Sequence, residues 1–483
     1  MKKKILCMIL LAIAAVFAAS GCMRVGPDYK RPDPAFKVPD QYRSAQDDQT
    51  ADYVPADKWW ESFGEPELNS AVEAAVKNNP DVAEAAAGVM EARAAMRQAD
   101  GDRFPSADLE AEASRRRSYQ EDPRTGETVS VETDTFSLSV PASFEIDLWG
   151  RLARASQAAR TDLLSAEENR RTVVQSLVAE TANLYLRIRF LDLQIRITRD
   201  LVKSHEQNLE LVEDRYRRGL ASTLDVRQAR RALARAEAEL PSLLESRGTA
   251  LHSLSILQGK YPESRELKEG DQIEFSPLPP APPGLPSELL ARRPDIGAAE
   301  ASLEAACARM GVARANRLPR ISLTGSFGYT SDELSALLEP GNRLGRIAAG
   351  GLQPLFDAGA RAAAEEAARA RYEKQAASYA KTVLNAFAEV EDALFAGHRL
   401  REHRDRLEEL VSESESTLET AMDRYSRGLV SYLNALDARQ SLFQAELDLV
   451  RAEYGIYENR VELHRALGGG WDRNLDLYGD AHE

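Results

Sequence analysis

The histidines and cysteines of this sequence are the side chains that could bind a metal ion or form a covalent intermediate. No His-Glu-x-x-His zinc motif occurs, and the nearest histidine pair, His398 and His403, is five positions apart and so lies off one helical face. The sequence contains no Gly-x-Ser-x-Gly nucleophile motif and no Gly-x-x-x-x-Gly-Lys phosphate loop. We therefore expect a protein that is not an enzyme and that uses no metal and no cofactor.

Cys22 is the cysteine whose neighbours suggest a covalent modification. A positive start at residues 1–4 and an apolar run at 5–18 have the form of a signal peptide, and the run is too short for a confident transmembrane helix. The following Ala-Ser-Gly-Cys resembles a bacterial lipobox, which implies S-diacylglycerol and N-palmitoyl groups on Cys22. An ordinary cleavage site with an unrelated cysteine is the alternative. Met23 after the cysteine resembles the pattern of lipoproteins sent to the outer membrane.

The composition restricts the class of protein. The 483 residues are 43% hydrophobic and 29% charged, which is too apolar for a disordered chain and too charged for a bundle of transmembrane helices. The formal net charge of −15 argues against a nucleic-acid partner, because such proteins need a basic face.

The chain contains an internal duplication. Segment 214–224 recurs as 423–433 with the shared pattern Asp-Arg-Tyr-x-Arg-Gly-Leu-x-Ser-x-Leu. A proline-rich stretch at 277–286 separates the halves and can form neither a helix nor the interior of a sheet. Each half is predicted to contain a helix, two strands, a long helix, a turn and a returning helix.

Two very long helices are predicted. Residues 151–218 contain neither proline nor glycine, and 360–427 contain a single glycine, with apolar positions at heptad-like spacings. At 1.5 Å per residue each run is about 100 Å long. Glycine-leucine pairs end both runs, and antiparallel helices are predicted to return from them.

Four strands are predicted from alternating apolar and polar residues: 107–113, 136–148, 321–329 and, with poorer alternation, 346–356. Strands of this kind fit the wall of a transmembrane barrel, but a soluble sandwich has the same alternation. Four strands cannot close a barrel, because single-chain barrels need about eight. Either the sheet is soluble or several chains share one barrel, and the signal segment together with the long hairpins favours sharing.

Several short motifs resemble one known family, the outer membrane factors, which are TolC-like and OprM-like channels of tripartite efflux and secretion systems. The motifs occur in family order and cover almost the whole mature chain: 22–32, 59–63, 289–296, 318–319, 354–359 and the paired Tyr-x-x-Gly-Leu turns. The lipidated start resembles the subgroup that serves pumps of the resistance-nodulation-division (RND) type.

The resemblance implies a mainly α fold with a transmembrane β part. Four strands per protomer would share one twelve-stranded trimeric barrel, and long coiled helical hairpins would form a periplasmic tunnel. The expected domains are a signal peptide (1–21), a lipidated extended segment (22–62), a first repeat (63–275), a proline-rich linker (276–286), a second repeat (287–470) and a tail (471–483).

The implied function is a passive outer-membrane exit duct for drugs or other small molecules. The implied partners are two further copies of the chain in a homotrimer, a periplasmic adaptor (membrane fusion protein), an inner-membrane RND pump and outer-membrane lipid. The outer channel of a type I protein secretion system is an alternative. A periplasmic adaptor lipoprotein is less favoured, because it would show one hairpin rather than a duplicated unit.

The resemblance also implies where a gate lies. The expected gate residues at the periplasmic mouth are Asp225, Tyr425, Asn434 and Asp437. Three copies of Asp437 would form a ring of like charge, and Asp225 would accept a hydrogen bond from Tyr425. The adaptor is expected to contact the hairpin tips at Gly219, Leu220, Gly428 and Leu429. Helix caps and solvated charges are the alternative interpretation of these residues.

Overall fold

The computed structural model describes residues 24–32, 37–44, 58–121, 126, 128–264, 278, 284 and 286–469. After a short 3-10 helix, Trp59–Phe63, the first half contains α1 (Pro66–Asn78), α2 (Pro80–Gly101), β1 (Ser106–Ala107), β2 (Glu110–Glu121), β3 (Thr128–Ile146), α3 (Arg151–Arg217) and α4 (Thr223–Leu257). The second half contains α5 (Pro286–Arg292), α6 (Pro294–Ala315), β4 (Arg320–Ser331), β5 (Arg343–Leu352), α7 (Ala360–Ser426) and α8 (Tyr432–Ala466). The predicted order of helix, strands and long helical pair is confirmed in both halves.

The long helices match the sequence expectation closely. The first members of the two pairs, α3 and α7, have 67 residues each, and the returning helices α4 and α8 have 35 residues each. The predicted ends differ from the observed ends by one residue, which is the usual uncertainty of a helix terminus. Equal lengths in the two halves are what an internal duplication produces.

The chain forms two compact units. One, here called the strand unit, comprises the described residues of Met1–Asp33, Gly88–Glu167 and Ala298–Tyr379. The other, here called the helical unit, comprises the described residues of Pro34–Ala87, Glu168–Gly297 and Ala380–Glu483.

The strand unit contains an antiparallel sheet in the order β2, β3, β4, β5, with β1 on the same edge of β3 as β2. The break between β1 and β2 lies opposite Pro141, which has no N–H to donate, while the Asp108 N–H still donates to the Pro141 carbonyl at 3.0 Å. We therefore regard β1 and β2 as one interrupted strand, so the sheet has four strands as predicted.

The two faces of this sheet differ in polarity. Cross-strand partners lie on the same face, and the pairs Leu138–Tyr329 and Val140–Phe327 belong to a face on which 136–146 and 321–329 carry mainly apolar side chains at alternate positions. The opposite face carries mainly serine, threonine and charged residues. Among the strand residues whose side chains are described, no apolar residue other than glycine is buried. This face therefore has no apolar covering within the described protomer, which argues against a soluble sandwich.

The described N-terminal residues 24–32 lie along two helices of the strand unit. Arg154 of α3, 3% exposed, forms an ion pair with Asp28 at 2.7 Å. Gly26 has φ of 103°, and a Cβ atom there would lie 2.7 Å from the Cα of Gly311 in α6. Two glycines in contact thus allow the close approach of this segment to α6.

The helical unit has an aromatic core that contains the Trp-Trp motif. Trp59 stacks on His464 of α8 with ring centroids 5.0 Å apart. Arg293 is buried and directly precedes the proline that starts α6. It pairs with Asp295 and with Glu389, in each case at 2.7 Å. The Arg-Arg-Pro-Asp motif therefore joins the start of α6 to α7 through a buried arginine and two half-buried carboxylates.

Candidate gate and docking site at the helical turns

The turns that join the long helical pairs have the same backbone geometry. Gly219 and Gly428 have φ of 76° and 71°, in the left-handed region that favours glycine. The Leu220 N–H donates to the Arg215 carbonyl at 2.8 Å, and the Leu429 N–H makes the corresponding bond at 2.9 Å. These bonds close both helices as Schellman motifs.

Each turn presents apolar side chains to solvent. Leu220 is 65% exposed and Leu429 is 64% exposed, and Leu224 and Leu433 are exposed one helical turn later. A Schellman turn normally packs its following apolar residue against the helix, whereas these leucines keep most of their surface free. The two tips thus offer matched apolar surfaces.

Ser222 and Asp225 together cap the helix that leaves the first turn, and Asp225 is the third helical residue. Its Oδ2 accepts from the Ser222 N–H at 2.8 Å and from the Ser222 hydroxyl at 2.9 Å, while Ser222 Oγ accepts from the Asp225 N–H at 3.2 Å. This is a capping box. Asn434 holds the corresponding position in the second turn, where the Ser431 hydroxyl donates to Asn434 Oδ1 at 2.8 Å.

Both turns share one buried cluster, here called the tip cluster, whose members come from α3, α4, α7 and α8: Val212, Val226, Ala229, Tyr425, Tyr432 and Ala435. The rings of Tyr425 and Tyr432 lie 5.5 Å apart. The cluster places the two turns side by side at one end of the helical unit.

The hydrogen bond expected from Tyr425 to Asp225 is absent from the described protomer. The Tyr425 hydroxyl is buried without a hydrogen-bond partner among the described residues, and burial raises the pKa of this phenol. The Asp225 carboxylate instead accepts from Ser222 in the capping box, through Oδ2. That part of the expectation is wrong within one protomer.

Arg215 joins the two hairpins instead. Its guanidinium donates to the Ser426 carbonyl at 3.2 Å and lies 5.0 Å from the centroid of the Tyr425 ring. Sequence reasoning missed this residue, although it belongs to the duplicated Asp-Arg-Tyr motif. Its counterpart in the second copy, Arg424, is exposed. The motif alone could not show which copy makes the contact.

Asp437 lies on the exposed side of α8 and makes no ion pair with any described residue. Arg439, two residues later, is partly buried and donates to the Ser204 carbonyl of α3 at 3.2 Å. Burial lowers the pKa of Arg439. Arg439 makes no ion pair with Asp437, whose carboxylate is exposed at the surface.

Cys22, the expected lipidation site, lies outside the described residues. Among the described residues, no group of three or more histidine, cysteine, aspartate or glutamate side chains is arranged to hold a metal ion. Within the same ranges, no helix combines the length and the apolar character that crossing a membrane requires.

Comparison with known proteins identifies relatives over nearly the whole chain. The cation efflux system protein CusC of Escherichia coli is 32% identical over 469 residues, which cover 96% of this chain and 99% of the relative. The toluene efflux pump outer membrane protein TtgI of Pseudomonas putida is 32% identical, covering 95% of this chain and 98% of the relative. The solved structure of the outer-membrane channel OprN matches with a TM-score of 0.84 and 30% identity, covering 92% of this chain and 99% of that one.

The family model for outer membrane efflux proteins matches the chain twice, at residues 71–260 and 285–469. The two matches agree with the internal duplication seen in the sequence and in the equal helix lengths. The coverage of the relatives, the strand unit and the paired helical hairpins all fit one architecture. The chain belongs to the outer membrane efflux protein family and is an outer-membrane exit duct of an efflux pump.

Proposed function

We propose that three copies of this chain form one channel, in which twelve strands close a single barrel. The observation that supports this is the open sheet. Within the described residues, β2 pairs with β3 alone and β5 pairs with β4 alone, so each protomer has two unpaired edges. An unpaired strand edge in lipid leaves backbone groups without hydrogen bonds, whereas a neighbouring copy on each side would satisfy both edges.

The periplasmic mouth of this channel is closed at rest by the ends of the helical hairpins. Asp437 supports this proposal because its charge is exposed and has no ion-pair partner among the described residues. Three copies around an axis would concentrate negative potential in a narrow passage. Asn434 and Asp225 lie at equivalent helix starts, so we assign them to shaping the turns. Tyr425 packs in the tip cluster that both turns share.

A periplasmic adaptor contacts the tips and links the duct to an inner-membrane pump of the RND type. The exposed Leu220 and Leu429, each following a turn glycine, support this, since paired apolar surfaces on a soluble segment are typical of docking sites. Gly219 and Gly428 set the direction in which these leucines point.

Solute selection belongs to the pump rather than to this chain. The relatives named for cation efflux and for toluene efflux have the same identity to this chain, 32%. A duct that resembles both equally is expected to pass chemically unrelated small molecules, with the energy supplied by the pump.

Cys22 anchors the protomer through S-diacylglycerol and N-palmitoyl groups after removal of residues 1–21. The sequence Ala-Ser-Gly-Cys supports this, and acyl chains tether a protein without making it span the membrane. Replacing Cys22→Ser should abolish incorporation of labelled palmitate. Unchanged labelling would show that the cysteine is not acylated.

The gate is tested by single-channel recording in planar bilayers. Asp437→Ala should weaken block by multivalent cations applied from the periplasmic side, because the ring of charge that attracts them is gone. Asp423→Ala is a matched control, since Asp423 lies close to the same turn but is paired with Arg427 at 2.8 Å. Equal block in the wild type and in both variants would place the constriction elsewhere.

A further inference from the structure

The hairpin of β2 and β3 extends beyond the rest of the sheet. The last residue of β4, Ser331, pairs with Phe136, whereas β2 continues to pair with β3 as far as Glu121 and Thr128. This extension lies at the end of β3 opposite to the helices, because β3 leads at its other end to α3. In an outer-membrane channel with a periplasmic helical tunnel, the extension therefore lies on the extracellular side.

At this end of the sheet, charged side chains succeed the apolar ones along the same face. Cross-strand partners share a face, and alternate residues of a strand do so as well, so Arg115 and Asp134 lie on the same face as Ala113 and Phe136. Arg115 binds Asp134 through two hydrogen bonds of 2.6 and 2.7 Å. The sheet thus changes abruptly on one face from apolar to charged.

Two further arginines complete this belt. Arg117 pairs with Glu132 on the same face, one alternate position farther out. Arg343, at the start of β5, is opposite Tyr329 on this face, is exposed and makes no ion pair with a described residue. We call Arg115, Arg117 and Arg343 the arginine belt. Arg116 lies between two of its members but faces the other side of the sheet.

The length of the apolar face sets the depth of the belt. Ten residue steps from Ile146 to Phe136 span about 34 Å at about 3.4 Å per residue. With a strand tilt of about 40°, this corresponds to about 26 Å along the membrane normal, close to the apolar band of about 25 Å in outer-membrane barrels. Arg115 and Arg117 then lie just beyond the hydrocarbon, at the level of the outer-leaflet headgroups, while Arg343, in register with Leu138 through Tyr329, lies at its outer edge.

We propose that the arginine belt binds the phosphate groups of outer-leaflet lipid. Guanidinium groups have five donors in a planar fork that fits phosphate oxygens, and the carboxylate of Asp134 occupies two of the donors of Arg115. The side chains of Arg115 and Arg117 remain 70% and 61% exposed, so the remaining donors face the lipid headgroups. This inference rests on the proposed barrel, because it assigns the apolar face to lipid.

The test uses the full-length protein in neutral detergent and bisphosphorylated lipid A as the probe, with bound lipid counted by native mass spectrometry. Combined Arg115→Gln, Arg117→Gln and Arg343→Gln substitutions should weaken binding at least about tenfold. Arg343→Gln alone breaks no ion pair of the described protomer and should weaken binding severalfold. Arg116→Gln is the matched control and should bind as the wild type does. Lipid A without phosphates should bind at least about tenfold more weakly than the bisphosphorylated form.

Three results would overturn the inference: equal binding of the two lipids by the wild type, an equal loss in Arg116→Gln, or displacement of the lipid by millimolar inorganic phosphate. The last would indicate a simple anion site. Channel conductance of the wild type, recorded from the same preparation in neutral lipid, tests the proposed function separately. A conducting protein without phosphate-dependent lipid binding would refute the belt and leave the channel standing.

Discussion

At the scale of single residues, duplication has produced pairs with equal sequence context and different contacts. Arg215 and Arg424 occupy the same position of the repeated turn motif. Arg215 lies over the ring of Tyr425 and donates to the Ser426 carbonyl, while Arg424 is exposed. The two hairpins are therefore joined asymmetrically, through a residue of the first copy and an aromatic ring of the second.

Arg215→Ala should loosen the contact between the hairpins and raise the resting conductance of the channel. The physical reason is the loss of a hydrogen bond and of a cation–π contact, together about 1–2 kcal/mol at a partly exposed site. Arg424→Ala is the matched control and should leave the resting conductance unchanged. Planar-bilayer recordings of both variants measure this, and an equal effect of the two would show that Arg215 does not hold the gate.

A pH dependence of stability is expected at His464. Burial among the core aromatics lowers its pKa from 6.5 to about 3, so the unfolded chain binds a proton at a higher pH than the folded protein does. The stability contribution of neutral His464 is therefore complete above about pH 6.5 and is lost as the pH falls towards about 3. The slope is at most about 1.4 kcal/mol per pH unit.

The measurement compares the free energy of unfolding of the wild type and of His464→Phe between pH 6.5 and 4.5. The wild type should lose stability more steeply, because the variant has no imidazole to protonate in the unfolded state. His252→Gln, at an exposed position of α4, is the control and should keep the wild-type slope. Identical slopes in all three proteins would mean that His464 is not buried in its neutral form.

The sequence predicted the turn residues better than it predicted which side chains contact one another. The glycine, leucine and serine of each turn have local roles that follow from backbone geometry, and these roles are visible in the sequence. Within one protomer, Asp225 is not the acceptor for Tyr425; its carboxylate makes a local capping box with Ser222. Side-chain partners between distant helices depend on packing that no local pattern encodes.

At the scale of elements, the spacing of apolar residues and the positions of glycine and proline were sufficient to predict the long helices and to locate the strands. A run without glycine or proline predicted α3, and a proline-free run with one glycine predicted α7, each to within one residue; strict alternation located the core of β3. The start of β5 at Arg343 was missed by a few residues, because the glycine-rich sequence that follows alternates poorly. The extension of the β2–β3 hairpin was missed as well, since charged side chains replace the apolar ones there.

A charge on the apolar face of β3 should be costly, and a charge on the opposite face should not. Val140 lies near the middle of the apolar run 136–146, so Val140→Arg should cost about 2–4 kcal/mol if this face contacts lipid. Ser139→Arg, on the polar face, is the matched control. The amount of folded protein recovered from the outer membrane, and its resistance to urea, measure the difference. Equal tolerance of both charges would mean that the sheet does not face lipid.

At the scale of the whole molecule, the protomer leaves part of its sheet unpaired. Within the described residues, the four-stranded sheet has two open edges and an apolar face that is not buried, and the helical unit places two hairpin turns side by side. An open sheet of this kind is stable in a membrane only when further strands close it. The family assignment explains why one chain contains two copies of the same unit, since two hairpins per chain allow a closed ring of few chains.

The most direct test of this account is the number of protein copies in one channel. Native mass spectrometry of the purified protein, released from neutral detergent, measures that number, and bilayer recordings of the same sample show that the particle conducts. We predict three copies in each particle, because three protomers supply the twelve strands that close the barrel. A conducting particle with one copy would contradict the shared barrel, and any other number than three would contradict closure by twelve strands.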